Sequence, residues 1–399
     1  MSSKSLEHLY LDEISLLSNK EFEDYIRLNL RKIRVHRRQF DIPVIGIAGS
    51  EGKTTAKRML SAILSDRHPI LETPPDCSTT SGVTSTLLKL NETHKYAVLE
   101  LGIVESSQFE WAVRVAEPNV AVVTNIGEAH LASLGDKYLI ADAKVELVRR
   151  LPEDGIAILN IDDDLVSGMG KFSPSSKILK FGLNKNAHFF ANKIEYLGPN
   201  GIVFYVNGFY DFHLPIYGST SIYNALAAIS VARILGFEFE EIKHALEKNF
   251  SLLEHRGNLI THQDIHILNY TYDATINSVN KACESLAQFK PYSKKRVLVI
   301  GDLSNPGPDE KNVHLKLGYY IAALPIDVVV TIGENAKYVA EGIKKMNHNK
   351  KVLKTCDGND ALIKAVQNHI EPQTTLLFIG SKDLKLSEPL GEVLQYVKK

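Results

Sequence analysis

From Pro43 onward the chain alternates between short apolar runs and stretches with helical spacing. PVIGIAG (43–49), YAVLELG (96–102), NVAVVTN (119–125) and IAILNID (156–162) are brief, β-rich and closed by turn residues, so each predicts a buried strand. Helical stretches between such strands imply parallel pairing with helices on both faces. Between about 177 and 216 the pattern changes. FFANKIEYLGPNGIVFYVNGFYDFHLPI carries Pro-Asn-Gly and Asn-Gly turns, which predict antiparallel hairpins. Helices are predicted near 221–236 and 238–249. From about 253, RVLVIGD, DVVVTIGE and TTLLFIGS each put a buried strand before a glycine, a Rossmann-like pattern.

Ahead of this, residues 1–40 predict a helical arm. Ser18 with Glu21 has the form of a capping box, and Phe22, Ile26, Leu30 and Ile33 line one helical face. Arg31, Lys32, Arg34, Arg37 and Arg38 make its end basic. They either complement a helix C-terminus or meet an anionic substrate. The expected organisation is α/β: an arm over 1–40, a P-loop central ATPase domain over 41–252, and a Rossmann-like C-terminal domain over 253–399. The central domain has a mainly parallel sheet plus a hairpin-rich subsheet.

Composition narrows the function classes. The 399 residues are 44% hydrophobic, enough for two or three domains, and the formal charge of -1 gives no field favouring nucleic acid or a membrane surface. Cys77, Cys283 and Cys356 are far apart, so neither a zinc site nor a disulfide framework is expected. The N-terminus lacks signal-peptide form and no run has membrane-span length, so the expectation is a cytoplasmic protein.

The strongest local motif is Gly46-Ile47-Ala48-Gly49-Ser50-Glu51-Gly52-Lys53-Thr54-Thr55, a strand running into glycines, then Lys-Thr-Thr, then the helical AKRMLSAIL. Such glycines let backbone N–H groups converge on phosphate oxygens, and the helix N-terminus adds partial positive charge. Gly49, Ser50, Glu51, Gly52, Lys53, Thr54 and Thr55 are therefore candidate nucleotide-binding residues. Lys53 is placed to reach the terminal phosphates and Thr54 to ligate Mg²⁺. The general GxxxxGK[ST] spacing is not met, because Ile47 stands five before Gly52.

The form G-S-E-G-K-T-T resembles the phosphate loop of the Mur ligases, and further landmarks agree. Tyr96–Gly102 resembles the family strand that ends in a metal-binding glutamate, here Glu100. PNVAVVTNIGEAH (118–130) resembles its second signature, with His130 helping to hold magnesium. Asp142-Ala143-Lys144 lies near the family's carbamylated lysine, Asn224-Ala225-Leu226 resembles a helix start in the nucleotide site, and Gly155–Asp162 matches the next strand. In the C-terminal part, His255-Arg256-Gly257 resembles the arginine that reaches the nucleotide phosphates, and Asp273 stands in the adenine-site sequence. Gly301-Asp302-Leu303 and His314 follow a family Gly-Asp-Met…His spacing. The branch most resembled adds D-alanyl-D-alanine to a cell-wall precursor.

The resemblance implies an ATP-dependent carboxylate–amine ligase working through an acyl phosphate. Lys53, Glu100, His130 and Lys144 would be catalytic, with Thr54, Glu100, His130 and a carbamylated Lys144 holding one or two Mg²⁺ ions. Independently of the name, Glu100 and His130 fall at strand ends, where ligands gather in open α/β sheets.

Several positions depart from the family. Asp76–Gly82 replaces an asparagine-rich substrate stretch, Gly218-Ser219-Thr220-Ser221 replaces Gly-Arg-His-Asn, Asn305-Pro306 replaces Glu-Leu, and about forty residues precede the phosphate loop. These departures favour small-molecule substrates other than the standard UDP-muramyl peptide. The alternatives are a shortened cell-wall D-alanyl-D-alanine-adding ligase, or an ATP-binding scaffold without ligase chemistry.

Overall fold

The computed structural model describes residues 19–102, 106–127, 136–304, 306–346 and 351–398. The Ser18–Glu21 capping box involves a residue outside that range. The chain divides into two compact units. One runs to Ala191 and takes in Tyr223–Phe250; the other holds Asn192–Ile222 and the chain from Ser251.

In the first unit, helix α1 (Asn19–Arg37) precedes strand β1 (Val44–Ala48), and α2 (Lys53–Ser65) follows the glycine loop. Then come β2 (Ile70–Glu72), α3 (Thr80–Leu87), β3 (Tyr96–Glu100), α4 (Ser106–Ala116), β4 (Val120–Val123), α5 (Lys137–Arg149) and β5 (Ile156–Asn160). The strands order as β2-β3-β1-β4-β5, all parallel. β1 is apolar throughout and buried throughout, as a central parallel strand covered on both faces must be. A core including Val44, Ala48, Leu99, Phe109, Val123 and Leu147 packs between sheet and helices.

At the basic end of α1, Arg34 and Arg37 stand in the last helical turn, where positive charge complements the helix C-terminus, and Arg37 donates to Phe40 O at 3.1 Å. Arg34 and Arg38 both bond the Glu117 carboxylate, and Arg37 donates to Asn119 Oδ1 at 3.2 Å. Ile33 on the apolar face is fully buried. The arm is thus fastened to the turn between α4 and β4.

β6 (Ile178–Gly182) and β7 (Phe189–Tyr196) extend the order beyond β5. β6 and β7 run parallel, with Phe181 beside Phe189; neither the Pro-Asn-Gly nor the Asn-Gly turn lies between them. Asn184 closes a turn with Ala187 and carries no Asn-Gly pair, so the chain loops back instead of reversing. In the second unit the Asn-Gly signal succeeds. β8 (Ile202–Val206) and β9 (Tyr210–Leu214) form an antiparallel hairpin with Val206 beside Tyr210; Asn207 (φ 53°) and Gly208 (φ 82°), both left-handed, carry the turn, and Phe209 N donates to Val206 O at 3.2 Å.

Helices α6 (Ser219–Ile234) and α7 (Phe239–Asn249) follow. The second sheet contains β10 (Asn258–His262), β11 (Ile265–Tyr270), β12 (Lys295–Ile300), β13 (Val328–Ile332), β14 (Val352–Cys356) and β15 (Thr374–Ile379), in the order β10-β11-β15-β12-β13-β14. Only the β10–β11 pair is antiparallel. Helices α8 (Ile276–Gln288), α9 (Glu310–Ala323), α10 (Lys337–Lys345), α11 (Asn359–Gln367) and α12 (Ser387–Val397) complete it. No described helix is long and apolar enough to cross a membrane.

Candidate active site

The glycine loop between β1 and α2 is shaped by two close approaches. Gly49 (φ +149°) passes Thr124 so closely that a Cβ would lie 1.9 Å from its Oγ1, and at Gly52 (φ +79°) a Cβ would lie 2.1 Å from Asn224 Oδ1. Only glycine fits either place without displacing a neighbour. Helix α2 starts directly after Gly52 with no side-chain cap and no acid in its first turn, which leaves the helix end electrostatically positive.

The segment after β4 clamps this loop. Asn125 accepts from Glu51 N at 3.0 Å and donates through Nδ2 to Glu51 O at 2.9 Å, while Thr124 Oγ1 donates to the same carbonyl at 2.7 Å. Ser50 N donates to Asn125 O, and Ser50 Oγ accepts from Gly127 N at 2.9 Å. Asn160, from the end of β5, donates to Thr124 O at 2.8 Å, and Asp163 accepts from Ile126 N at 2.7 Å. The loop is therefore held in shape by the ends of two neighbouring strands.

Charged side chains gather around it. Lys53 Nζ donates to Gly49 O (3.0 Å) and Ser50 O (3.1 Å). Thr54 Oγ1 donates to Glu100 Oε1 at 3.0 Å. Glu100 is 6% exposed, and its Oε2 has no hydrogen-bond partner among the described residues. A buried carboxylate oxygen with spare lone pairs beside a hydroxyl is the hard-oxygen environment that Mg²⁺ selects. Asn224 Oδ1 is likewise buried without a partner.

Lys144, on α5, is 1% exposed and reaches Ser50 Oγ at 3.4 Å. Burial first, then repulsion from Lys53, lowers its ammonium to about 7, against a smaller raising effect from Asp163. A lysine so placed holds a large fraction of neutral, nucleophilic amine near neutral pH. Lys57, also 1% exposed, donates to Thr73 O.

Gly49, Ser50, Glu51, Gly52, Lys53, Thr54, Thr55, Glu100, Lys144 and Asn224 thus converge in the first unit. His130 lies outside the described residues. Among the described residues no three His, Cys, Asp or Glu side chains cluster as a metal site. Sequence reasoning missed Thr124, Asn125 and Asp163 as loop clamps, and Thr73 and Lys57 altogether. Thr124 and Asn125 lay inside a quoted motif, so an unspent polar pair at a strand end was the available signal.

In the second unit, Arg256 lies against Tyr272, just past the end of β11, and Asp273 is the next residue. The Arg256 guanidinium lies 3.7 Å from the Tyr272 ring centroid, with Lys382 Nζ at 5.8 Å from that ring. Asp273 Oδ1 accepts from Ala274 N at 2.9 Å. Beside them, Asp302 is spent on structure, accepting from Glu334, Asn335 and Ala336 N at 2.7–3.0 Å. His314 is fully buried, and its Nε2 accepts from Leu303 N at 3.2 Å while Nδ1 faces Glu310 O at 2.7 Å.

Comparison with known proteins adds a consistent set of relatives. The Mur ligase middle domain matches residues 47–232, and the Mur ligase glutamate ligase domain matches 255–382. The UDP-N-acetylmuramoyl-tripeptide–D-alanyl-D-alanine ligase of Bacillus subtilis (strain 168) is 30% identical, over 88% of this chain and 76% of that protein. The enzyme of the same name from Escherichia coli (strain K12) is 31% identical, over 88% and 77%. Among solved structures, MurF from Acinetobacter baumannii superposes with a TM-score of 0.80 at 30% identity, covering 90% of this chain and 78% of that one. MurF ligase from Thermotoga maritima, solved in complex with ADP, gives 0.80 at 22% identity over 94% and 84%, a likeness of fold.

Proposed function

The chain belongs to the Mur ligase family, and from that premise we propose that it is an ATP-dependent ligase joining D-alanyl-D-alanine to UDP-N-acetylmuramoyl-tripeptide. The observation that carries the ligase chemistry is the Thr54–Glu100 pair at the mouth of a clamped phosphate loop, with one Glu100 oxygen unspent. The substrate assignment rests on similarity over nearly nine-tenths of the chain to enzymes of that name. The same similarity favours this reading over the unusual carboxylate that the altered Asp76–Gly82 stretch suggested. A central ATP-binding domain over 41–252 and a ligase domain over 253–399 form part of the proposal.

The reaction proceeds in two displacements. A substrate carboxylate oxygen attacks the γ-phosphorus of ATP, the bond to the bridging oxygen breaks, and ADP leaves with that electron pair. The acyl phosphate is then attacked by the amine; the tetrahedral intermediate loses a proton and expels phosphate to leave the amide. Lys53 exchanges its bonds to Gly49 O and Ser50 O for phosphate oxygens, countering the charge that builds during transfer. Loop N–H groups and the α2 terminus orient the phosphates, so position and charge supply most of the rate. Arg256 and Asp273 are proposed for the nucleotide, and Asn224 for the loop's open side.

Thr54 and Glu100, with His130, would hold Mg²⁺, which when bound neutralises phosphate charge. Lys144 fits carbamylation. Its neutral amine can add to carbon dioxide and release a proton, giving an anionic oxygen pair beside Ser50 that suits a second divalent ion.

The test is phosphate release from ATP with Mg²⁺ in the presence of UDP-muramyl tripeptide and D-alanyl-D-alanine, singly and together. Release that requires both is expected. Stimulation by a different carboxylate alone would replace the substrate assignment, and tight ATP binding without any turnover would favour a scaffold.

A further inference from the structure

Glu100 is held by an interruption in the β2–β3 ladder. These strands are parallel, with Ile70 beside Tyr96, Leu71 beside Ala97 and Glu72 beside Val98. The next rung begins normally, as Thr73 N donates to Val98 O at 3.2 Å. In a regular parallel ladder the Thr73 carbonyl would then accept from Glu100 N–H. It does not. Lys57 Nζ takes that carbonyl, and Glu100 N donates instead to Thr73 Oγ1 at 2.9 Å. Pro74 and Pro75 follow, so no backbone N–H continues the strand.

Three features argue that this exchange is built in. Thr73 is completely buried, as is almost all of Lys57, so neither bond competes with water. Thr54 and Lys57 lie three apart on α2 and so share a face, one bonding the Glu100 carboxylate, the other the residue that holds its backbone. A side-chain acceptor fixes the last residue of β3 while letting the chain after Thr73 turn away, which regular pairing would not allow.

We propose that Thr73, seated by Lys57, is the positioning residue that aims the Glu100 carboxylate at a divalent metal ion on the nucleotide phosphates. The inference rests on the metal role given above to Glu100. It adds that the aim is set from beneath, by one hydroxyl standing in for a ladder carbonyl.

Mn²⁺ binding to the full-length protein with ADP, followed by electron paramagnetic resonance, tests this without turnover. Thr73→Val keeps the side-chain shape and removes the acceptor; Mn²⁺ affinity should fall roughly tenfold while ADP affinity in EDTA changes less than about twofold. Thr73→Ser, which keeps the hydroxyl, should restore Mn²⁺ affinity to near the parent value. An unchanged Mn²⁺ affinity in folded Thr73→Val overturns the inference, as does an equal loss in Thr73→Ser. If Thr73→Val does not fold, Lys57→Met serves; its Mn²⁺ affinity should fall at least about threefold, although losing a nearby cation would by itself favour a metal. No fall there overturns the inference. Glu100→Gln separates the underlying reading: if it leaves Mn²⁺ affinity intact, the metal role of Glu100 fails, whereas a loss there with Thr73→Val unaffected sinks the positioning role alone.

Discussion

In both units an acid stands at or just past the end of a parallel strand, yet the two units use it differently. In the first unit, Glu100 closes β3 with one oxygen unspent among the described residues, and Lys144 makes a long contact, 3.4 Å, to Ser50 Oγ. In the second, Asp302 follows β12 and gives its carboxylate to three backbone N–H groups at the start of the segment leading into α10. His314 is occupied at both ring nitrogens. An acid at a strand end therefore makes either a site with bonding capacity in reserve or a bracket spent mostly on the backbone. Buried polar groups that have already found partners stabilise; those that have not are where a ligand can add binding energy.

The sharpest contrast should come from removing the central charge of the reserve site. Lys53→Ala is expected to lower ATP turnover by on the order of 10³-fold, the scale of losing one preorganised transition-state donor. The unfolding midpoint should move little, since Lys53 donates to the Gly49 and Ser50 carbonyls of the loop and not into the sheet core. Turnover that survives in Lys53→Ala would remove the phosphate-loop assignment. The reverse profile is expected for His314→Ala, which strands Leu303 N–H and opens a cavity around a fully buried ring. Denaturant unfolding should show a loss of about 2–4 kcal/mol, with nucleotide affinity of the folded fraction close to the parent's. A variant as stable as the parent would mean that the bracket is not one.

Lys144 gives a smaller effect with a definite sign. Its folded-state ammonium sits at about 7, against roughly 10.4 in an unfolded chain. Between these values the unfolded state holds the extra proton, so the cost of burying this ammonium, full below about 7, is relieved as pH rises above it. In buffer freed of carbon dioxide, the gap between parent and Lys144→Met should therefore shift toward the parent as pH rises from 7 to 9.5. Parallel stability curves would place Lys144 at an ordinary lysine value. Added bicarbonate that protects the parent alone would support the carbamate.

What could be read in the sequence follows from what is local. β1, β3, β4, β5, β12, β13 and β15 are short apolar runs buried along most of their length, and periodicity found each one. β2 has three residues, and β14 has mostly unburied positions, so neither makes an apolar run. The phosphate loop was legible because its glycines, lysine and helix are consecutive. Its clamps were not: Glu51 meets Asn125 across 74 positions and Lys144 meets Ser50 across 94. Lys144 itself could be nominated only through family resemblance, since nothing in ADAKVELV distinguishes a buried lysine from a solvated one. Thr73 had no motif at all, because its role depends on which of two acceptors Glu100 N–H finds.

The basic end of α1 lies at the small end of this scale. Burial raises the Glu117 carboxyl, but hydrogen bonds and charge from Arg38 and Arg34 outweigh that and hold it below its ordinary value. A carboxylate lowered in the folded state contributes stability above its unfolded value, near 4.3, and loses it as pH falls through the folded one. Glu117→Gln should thus cost little at pH 7, below about 1 kcal/mol, because the arginines remain largely solvated and salt screens the pair. The cost should shrink as pH falls below about 4.3, and in high salt at pH 7. Turnover should be unaffected at every pH where both proteins are folded, since these bonds fasten the arm to the α4–β4 turn and touch no residue of the phosphate loop. A loss of turnover without a loss of stability would return the arginines to the substrate-binding role that their sequence first allowed.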